Sequence, residues 1–183
     1  MPLLTTRSAK GYGWSAASAA ATGDFEAIST QIVTTNTTTV TLSSIPSTYV
    51  NLQLRIFARK DTGGNDAFNL YFNNDTTNGN YSYHAFLGDG ASTTQSSISN
   101  PGMGSIRDNA WNTTVVDIVD YLNTSNKKVR RSLSGSISST DGAVFYYGGA
   151  WNSTAAVNRI DVKVGGGNNF IPGSVFALYG LKG

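Results

Sequence analysis

The sequence predicts an all-β protein: an antiparallel two-sheet β-sandwich, jelly-roll-like in topology, with an extended N-terminal arm. Apolar and polar residues alternate with a period of two in many short segments, which is the pattern of half-buried strands. Turn sequences rich in Gly, Asn, Asp and Pro separate these segments, and no 11-residue window sustains the apolar spacing of an amphipathic helix. About ten closely spaced strands favour antiparallel pairing, because a parallel pair needs a crossover of a dozen residues or more. Eight or more strands in one body favour a jelly roll.

The first 24 residues are interpreted as an arm, and residues 25–183 as the sandwich. The arm consists mainly of small residues around a GYGW sequence, and its aromatic residues are too few to form a core. We therefore predict that it docks on the body or on a neighbouring subunit and serves assembly through Tyr12 and Trp14.

Three segments of the body show the alternation most clearly. They lie within YVNLQLRIFARK, AFNLYFN and NRIDVKV. The residues expected to share one face are Leu52, Leu54, Ile56 and Ala58 in the first, Phe68, Leu70 and Phe72 in the second, and Ile160, Val162 and Val164 in the third.

The remaining strands follow the same logic along the chain. They are predicted near residues 26–34, 37–42, 81–87, 114–122, 129–138, 143–148 and 174–181.

One connection, from Leu87 to Thr113, is unusually long and has no strong periodicity. Loops of this length without regular structure are commonly functional or bound to a partner. Met103 and Trp111 are apolar residues in polar surroundings there, and we predict that they contact a neighbouring molecule.

Charge and cysteine content exclude several classes of function. A formal net charge of +2 provides no extended basic surface for nucleic acid, and the cluster KKVRR at residues 127–131 is interpreted as the solvated start of a strand. With no cysteine and one histidine, the chain has no thiolate nucleophile and no usual zinc ligand set. No segment approaches the roughly 20 apolar residues of a spanning helix, and the N-terminus lacks the apolar run of a secretory signal.

The stretch AFNLYFNNDTTNGNYSYHAFLGDG, residues 67–90, collects polar residues that could form a metal site or a catalytic cleft. It lacks the acidic spacing of a calcium loop, so a hydrogen-bonded hairpin turn followed by a strand is favoured over a calcium site. His84 could belong to a Ser-His-Asp triad, but no G-x-S-x-G sequence accompanies it, and a structural histidine in a strand is preferred. The sequence predicts no catalytic residue, metal or cofactor.

A binding function agrees better with the residue types. Sugar recognition uses aromatic platforms beside Asn, Asp and Gly, and Tyr81, Tyr83 and Trp151 lie in such surroundings. Against this, the same aromatic residues would also suit a core or a seam between subunits.

Several segments, taken together, resemble a group of small virion structural proteins of tailed bacteriophages. They are GYGW, SSIPSTYVNLQLRIFARKD, LYFNNDTTNGNYSYHAFLGDG, VVDIVDYLNTSNKKVRRSLSG, AWNSTAAVNRIDVKV and GSVFALYGLKG, and they cover nearly the whole chain. The resemblance implies residence on a phage particle assembled in the bacterial cytoplasm, and no active site.

Two functions are therefore expected from the sequence. The first is a non-enzymatic head decoration, cement, tail or fibre subunit that binds other virion proteins and forms a homo-oligomer, with a trimer among the candidate states. The second is a distal adhesin that recognises glycan on the host surface.

Overall fold

The computed structural model of the protein describes residues 24–107, 110–137 and 142–183, with the backbone alone at Ile137. The predicted arm residues Tyr12 and Trp14 lie outside these ranges. The described residues form twelve strands, one 3-10 turn at Asn78–Asn80 and no α-helix. The strands are β1 (Phe25–Ile32), β2 (Thr39–Leu42), β3 (Asn51–Ala58), β4 (Asp66–Phe72), β5 (Tyr81–Gly88), β6 (Thr93–Ile98), β7 (Gly102–Ile106), β8 (Asn112–Val119), β9 (Lys128–Ile137), β10 (Gly142–Trp151), β11 (Ile160–Val164) and β12 (Val175–Leu181).

The strands form two antiparallel sheets that pack as a sandwich, which confirms the predicted fold class. The large sheet has eight strands in the order β1-β12-β3-β8-β9-β10-β5-β6, and the small sheet has four in the order β2-β11-β4-β7. Consecutive strands alternate between the two sheets, as in a jelly roll, except within the hairpin β5–β6 and the meander β8–β9–β10, which stay in the large sheet. One jelly-roll position of the large sheet is expanded into the meander β8-β9-β10, and β12 and β1 extend that sheet on one side. In the part of the chain described, no helix is long and apolar enough to cross a membrane.

The core lies between the sheets and contains the apolar residues that the alternation predicted to share one face of a strand. The predicted faces of β3, β4 and β11 are all buried. Their neighbours on the opposite faces include the exposed Arg55 and the half-buried Lys163. The prediction of the core-facing residues is therefore confirmed for these three strands.

The predicted long loop between Leu87 and Thr113 is wrong, because it contains two strands. Strand β6 (TTQSSI) is exposed at every residue on the edge of the large sheet, so it has no alternation to detect. Strand β7 contains glycines that permit close approach: a Cβ at Gly102 would lie 2.8 Å from Cε1 of Tyr83, and one at Gly104 would lie 3.0 Å from Oγ of Ser134. Both strands lack the residues by which a strand is usually recognised.

The predicted hairpin after β4 is also wrong, since β4 and β5 belong to different sheets. The connection turns a corner of the sandwich, with Asn73 and Asn74 in the left-handed region at φ of 51° and 61°. The amide oxygen of Asn73 accepts hydrogen bonds from the backbone N–H groups of Asn158 (3.0 Å) and Arg159 (3.2 Å). The polar side chains of this stretch therefore satisfy backbone groups, as predicted, although in a corner between sheets.

Candidate functional site

Strand β9 turns its polar side chains toward the core and its apolar side chains outward, which is the opposite of what its residue types predict. Lys128, Arg130, Ser132 and Ser134 point between the sheets and are buried, whereas Leu133 points outward and is 56% exposed. A strand of a sandwich ordinarily turns its apolar residues inward and its charges outward. The interpretation of KKVRR as a solvated strand start is therefore wrong for Lys128 and Arg130.

Backbone carbonyl groups explain this orientation. Lys128 Nζ donates to the carbonyl oxygens of Asn126 (3.0 Å) and Thr154 (3.1 Å), and also to that of Asn123. Because these acceptors belong to the loops at one end of the sandwich, the ammonium group is fixed on the inner side of the sheet.

Farther along β9, the inward side chains bind strand β7 and the residue before it. Arg130 Nη2 donates to the carbonyl oxygens of Pro101 (2.9 Å) and Gly102 (2.8 Å), and Ser132 Oγ donates to that of Met103 (2.6 Å). These contacts hold the two sheets together through polar groups. As a result, the apolar side of β9 is turned to the outside.

An apolar row crosses the outer surface of four adjacent strands. Val115 of β8 is the direct cross-strand partner of Leu133, Leu133 of Tyr146 in β10, and Tyr146 of Phe86 in β5. All four residues are exposed, and Val144 is exposed two residues before Tyr146. We name these five residues the apolar face. Contiguous exposed apolar surface of this kind is typical of an interaction site.

A polar row borders the apolar face. Arg131 Nε donates to Asp117 Oδ2 across β8 and β9 (2.8 Å), and Gln53 Nε2 donates to Asp117 Oδ1 (2.8 Å). The hydrogen bond to Asp117 raises the pKa of Arg131. Since cation and carboxylate are paired, this border carries no local excess of charge.

The outer surface of the small sheet is polar by contrast. Thr41 donates to Asp161 Oδ1 (2.5 Å), and Arg159 donates from two nitrogens to the same carboxylate (2.8 Å each). Lys163 lies over the ring of Tyr71, with Nζ 5.8 Å from its centroid. The sandwich thus has one polar broad side, suited to water, and one side with an apolar centre.

A second exposed feature is a pair of stacked rings on the large sheet. The rings of Phe57 and Trp111 have centroids 4.6 Å apart and planes within 6° of parallel. Phe57 is 44% exposed and Trp111 is 37% exposed. The side chain of Trp111 is therefore accessible, although the residue lies just before β8 and not in a long loop. Its contact with a neighbouring molecule stays a prediction.

Met103 is not accessible in this way. It lies in β7 with its side chain fully buried in the core. The prediction that it contacts a neighbouring molecule is wrong, because β7 belongs to the small sheet and turns this side chain inward.

Two of the three candidate glycan residues are also core residues. Tyr81 and Trp151 are buried, with ring centroids 6.3 Å apart. The hydroxyl of Tyr81 accepts a hydrogen bond from the N–H of Phe72 (2.9 Å) and donates to the carbonyl of Asp75 (2.9 Å), while Trp151 Nε1 donates to Asp75 Oδ2 (2.7 Å). Because their rings and polar atoms are engaged inside the sandwich, neither can serve as a sugar platform. Tyr83, the third, is half-buried, with its ring centroid 4.8 Å from that of Tyr147.

The carboxylate of Asp75 is engaged in the same corner. Although desolvation opposes the shift, hydrogen bonds from Trp151, Asn80 and Thr77 hold the pKa of Asp75 below its ordinary value. Within the described ranges, no three His, Cys, Asp or Glu residues are grouped so that they could hold a metal ion. His84 lies exposed on the outer surface of β5.

The apolar face is not among the features predicted from the sequence, although its strands carry a pattern that indicates it. The segments VV at 115–116 and VFYY at 144–147 place apolar residues on both faces of a strand, which is typical of a sheet covered on both sides.

The fold and surface together define the class of this protein as a jelly-roll-like β-sandwich with an exposed apolar sheet face. Comparisons with models of protein families, with curated proteins and with solved structures found no match to this chain.

Proposed function

We propose that the protein is a non-enzymatic structural subunit on the surface of a bacteriophage particle, either a head decoration or cement protein or a component of the tail or its fibres. It works without a cofactor, resides on the virion, and assembles with other virion proteins and with copies of itself in the bacterial cytoplasm.

The observation that carries the proposal is the apolar face of the large sheet. Leu133 and Tyr146 lie at its centre and leave 56% and 48% of their surface exposed, on strands whose inner side is already packed in the sandwich. Covering such a surface with protein releases water from apolar groups, which favours permanent assembly. The resemblance of the segments to tailed-phage virion proteins supports the particle as the place of this assembly.

The location can be tested on virions purified from cells infected by a phage whose genome encodes this chain. We expect quantitative mass spectrometry to find the chain in intact particles at a fixed copy number, and labelled antibodies to bind the particle surface. A chain abundant in the lysate but absent from washed particles would refute the proposal.

The arm, residues 1–24, is proposed as a second assembly element through Tyr12 and Trp14. Deleting it should leave a folded body that no longer enters particles. Incorporation at the wild-type copy number would contradict this role.

A distal adhesin is the alternative function, and the stacked pair of Phe57 and Trp111 favours it. Exposed flat rings bind the apolar faces of sugars. In this case Trp111→Ala should reduce adsorption of particles to host cells at least about tenfold without a change in particle composition. Ile98→Ala, which truncates an exposed apolar side chain on the edge strand β6, is the control and should adsorb normally. Normal adsorption of the Trp111 variant would count against the adhesin.

A further inference from the structure

We propose that the apolar face packs against the same face of a second copy of the chain, so that two large sheets meet in a two-fold symmetric dimer. This inference rests on the proposed function, because it names the partner of the same surface.

The size of the surface fits a partner protein. The five residues of the apolar face expose on the order of 500 Å². Val119 and Val129 are exposed on the same side of β8 and β9, beyond the Asp117–Arg131 pair, and raise the apolar area to roughly 700 Å². This value is close to the approximately 800 Å² that each partner buries in a standard interface. This area is sufficient for a stable dimer.

The shape of the surface favours a second sheet over a single covering segment. The exposed apolar residues extend about 14 Å across strands β8, β9, β10 and β5. Parallel to β9 they extend about 20 Å, from Val129 to Val144, which pairs with Gly135. One extended segment covers a band only about 5 Å wide. A second copy supplies a sheet of matching dimensions.

The composition of residues 1–23 also favours a second copy of the chain over this segment as the cover of the apolar face. Most of them are Ala, Ser, Thr or Gly. Their large apolar residues are Met1, Leu3, Leu4, Tyr12 and Trp14. Five such side chains along one segment do not match a surface that is wide in two directions.

The charges of the surface are compatible with self-association. In a two-fold symmetric contact each copy meets its own charge pattern, so a surface of one sign would repel itself. Here the Arg131–Asp117 ion pair is neutral as a unit. Arg55 is the cross-strand partner of Val115, but its guanidinium group is directed away from the apolar face, over the rings of Phe25 and Tyr179, with Cζ 4.8 and 5.0 Å from their centroids. Sheets packed face to face lie about 10 Å apart, which allows the side chains of Leu133 and Tyr146 to interdigitate with those of the other copy.

The test is sedimentation of the full chain over a range of concentrations, with light scattering as a second measure of mass. We expect the wild-type chain to be a dimer. Leu133→Asp should raise the dimer dissociation constant at least about 100-fold, because it places a carboxylate in the centre of the apolar contact. Its thermal unfolding should remain cooperative, since the side chain points away from the core.

A matched pair of valine variants controls for the introduced charge. Val144→Asp lies within the apolar face and should weaken the dimer about tenfold or more. Val50→Asp replaces a valine that is 49% exposed but precedes β3 at the end of the sandwich, and it should change the dissociation constant less than about threefold. If Leu133→Asp does not fold, the comparison of the two valine variants decides the question.

A wild-type chain that stays monomeric at all concentrations overturns the inference. Exclusion of a hydrophobic dye by that monomer would identify residues 1–23 as the cover, and dye binding would point to another virion protein. A dimer that both Leu133→Asp and Val144→Asp leave intact overturns it as well. Failure here is distinct from failure of the proposed function: a monomer found on virions refutes only the dimer, and a dimer absent from virions refutes only the particle role.

Discussion

The two cations buried on the inner side of β9 should respond in opposite directions to the same substitution. Arg130→Met and Lys128→Met each replace a buried charged side chain with an apolar one of similar length. Both residues lie on one strand and one face, and each is about 1% exposed. They differ in the number of their hydrogen bonds, and this difference sets the expected sign.

Arg130 is poorly compensated for a buried charge. Its Nη2 donates to the carbonyl groups of Pro101 and Gly102, but its Nε and Nη1 have no partner among the described residues. Burial lowers the pKa of Arg130 to about 10. Arg130→Met loses two charge-assisted hydrogen bonds, about 3–6 kcal/mol together, and removes a desolvation cost of several kcal/mol. In the variant, the carbonyl oxygen of Pro101 still accepts a hydrogen bond from the N–H of Leu70 (3.1 Å). We therefore expect Arg130→Met to raise the free energy of unfolding by between zero and about 2 kcal/mol.

Lys128 is fully compensated. Its ammonium group donates to three carbonyl oxygens. Burial lowers the pKa of Lys128, and the carboxylate of Asp120 opposes this shift. Lys128→Met leaves three acceptors without their donor, so we expect a loss of about 3 kcal/mol.

The assay is urea unfolding of both variants, followed by tryptophan fluorescence and interpreted through the midpoint at constant slope. We expect the free energies of unfolding of the two variants to differ by about 3–5 kcal/mol. Equal destabilisation by more than about 3 kcal/mol would refute the reasoning, since it would mean that Arg130 is as well compensated as Lys128.

Two further predictions concern the corner of the sandwich and alkaline pH. Asp75→Ala should lower the free energy of unfolding by about 2 kcal/mol, because the buried Nε1 of Trp151 loses its acceptor. Asp89→Ala, which removes a carboxylate from an exposed turn, should cost about 0.5 kcal/mol in the same urea assay, and equal losses would contradict the role of Trp151. Burial raises the pKa of Tyr147 to about 12, so the folded state retains a phenol proton that the unfolded chain releases near about pH 10. This contribution to stability is complete below about pH 10 and is lost as the pH rises to about 12. The urea midpoint should therefore fall between about pH 10 and 12, and Tyr147→Phe should reduce that fall; an undiminished fall in the variant would exclude this cause.

The two broad sides of the sandwich suggest how the subunit is oriented in an assembly. The small sheet presents a network of Thr41, Arg159 and Asp161, while the large sheet presents the apolar face. In the proposed arrangement, the large sheet meets the partner and the small sheet meets water. A protein of this kind would make different contacts on its two sides, although both of its sheets contribute to the main core.

Prediction of strands from the sequence is correct where one face of a strand is clearly apolar. In β3, Leu52, Leu54 and Ile56 alternate with polar or exposed residues, and all three are buried. It failed for β6 and β7, where uniform polarity in one strand and glycines in the other remove the alternation. It also misplaced Tyr81 and Trp151, because their polar neighbour Asp75 binds them inside the sandwich and not at its surface.

The sequence by itself determined that this chain forms an antiparallel sandwich. The alternation of apolar and polar residues is a local property, and it can be recognised in each strand without knowledge of the others. It did not determine which side of β9 faces the core. Only the tertiary structure decided that, because the carbonyl groups that bind Arg130 and Ser132 belong to Pro101, Gly102 and Met103, almost thirty residues earlier in the chain. The apolar face is a consequence of those distant contacts. Because successive side chains of a strand point to opposite faces, Leu133 points outward once the polar side of β9 is held between the sheets.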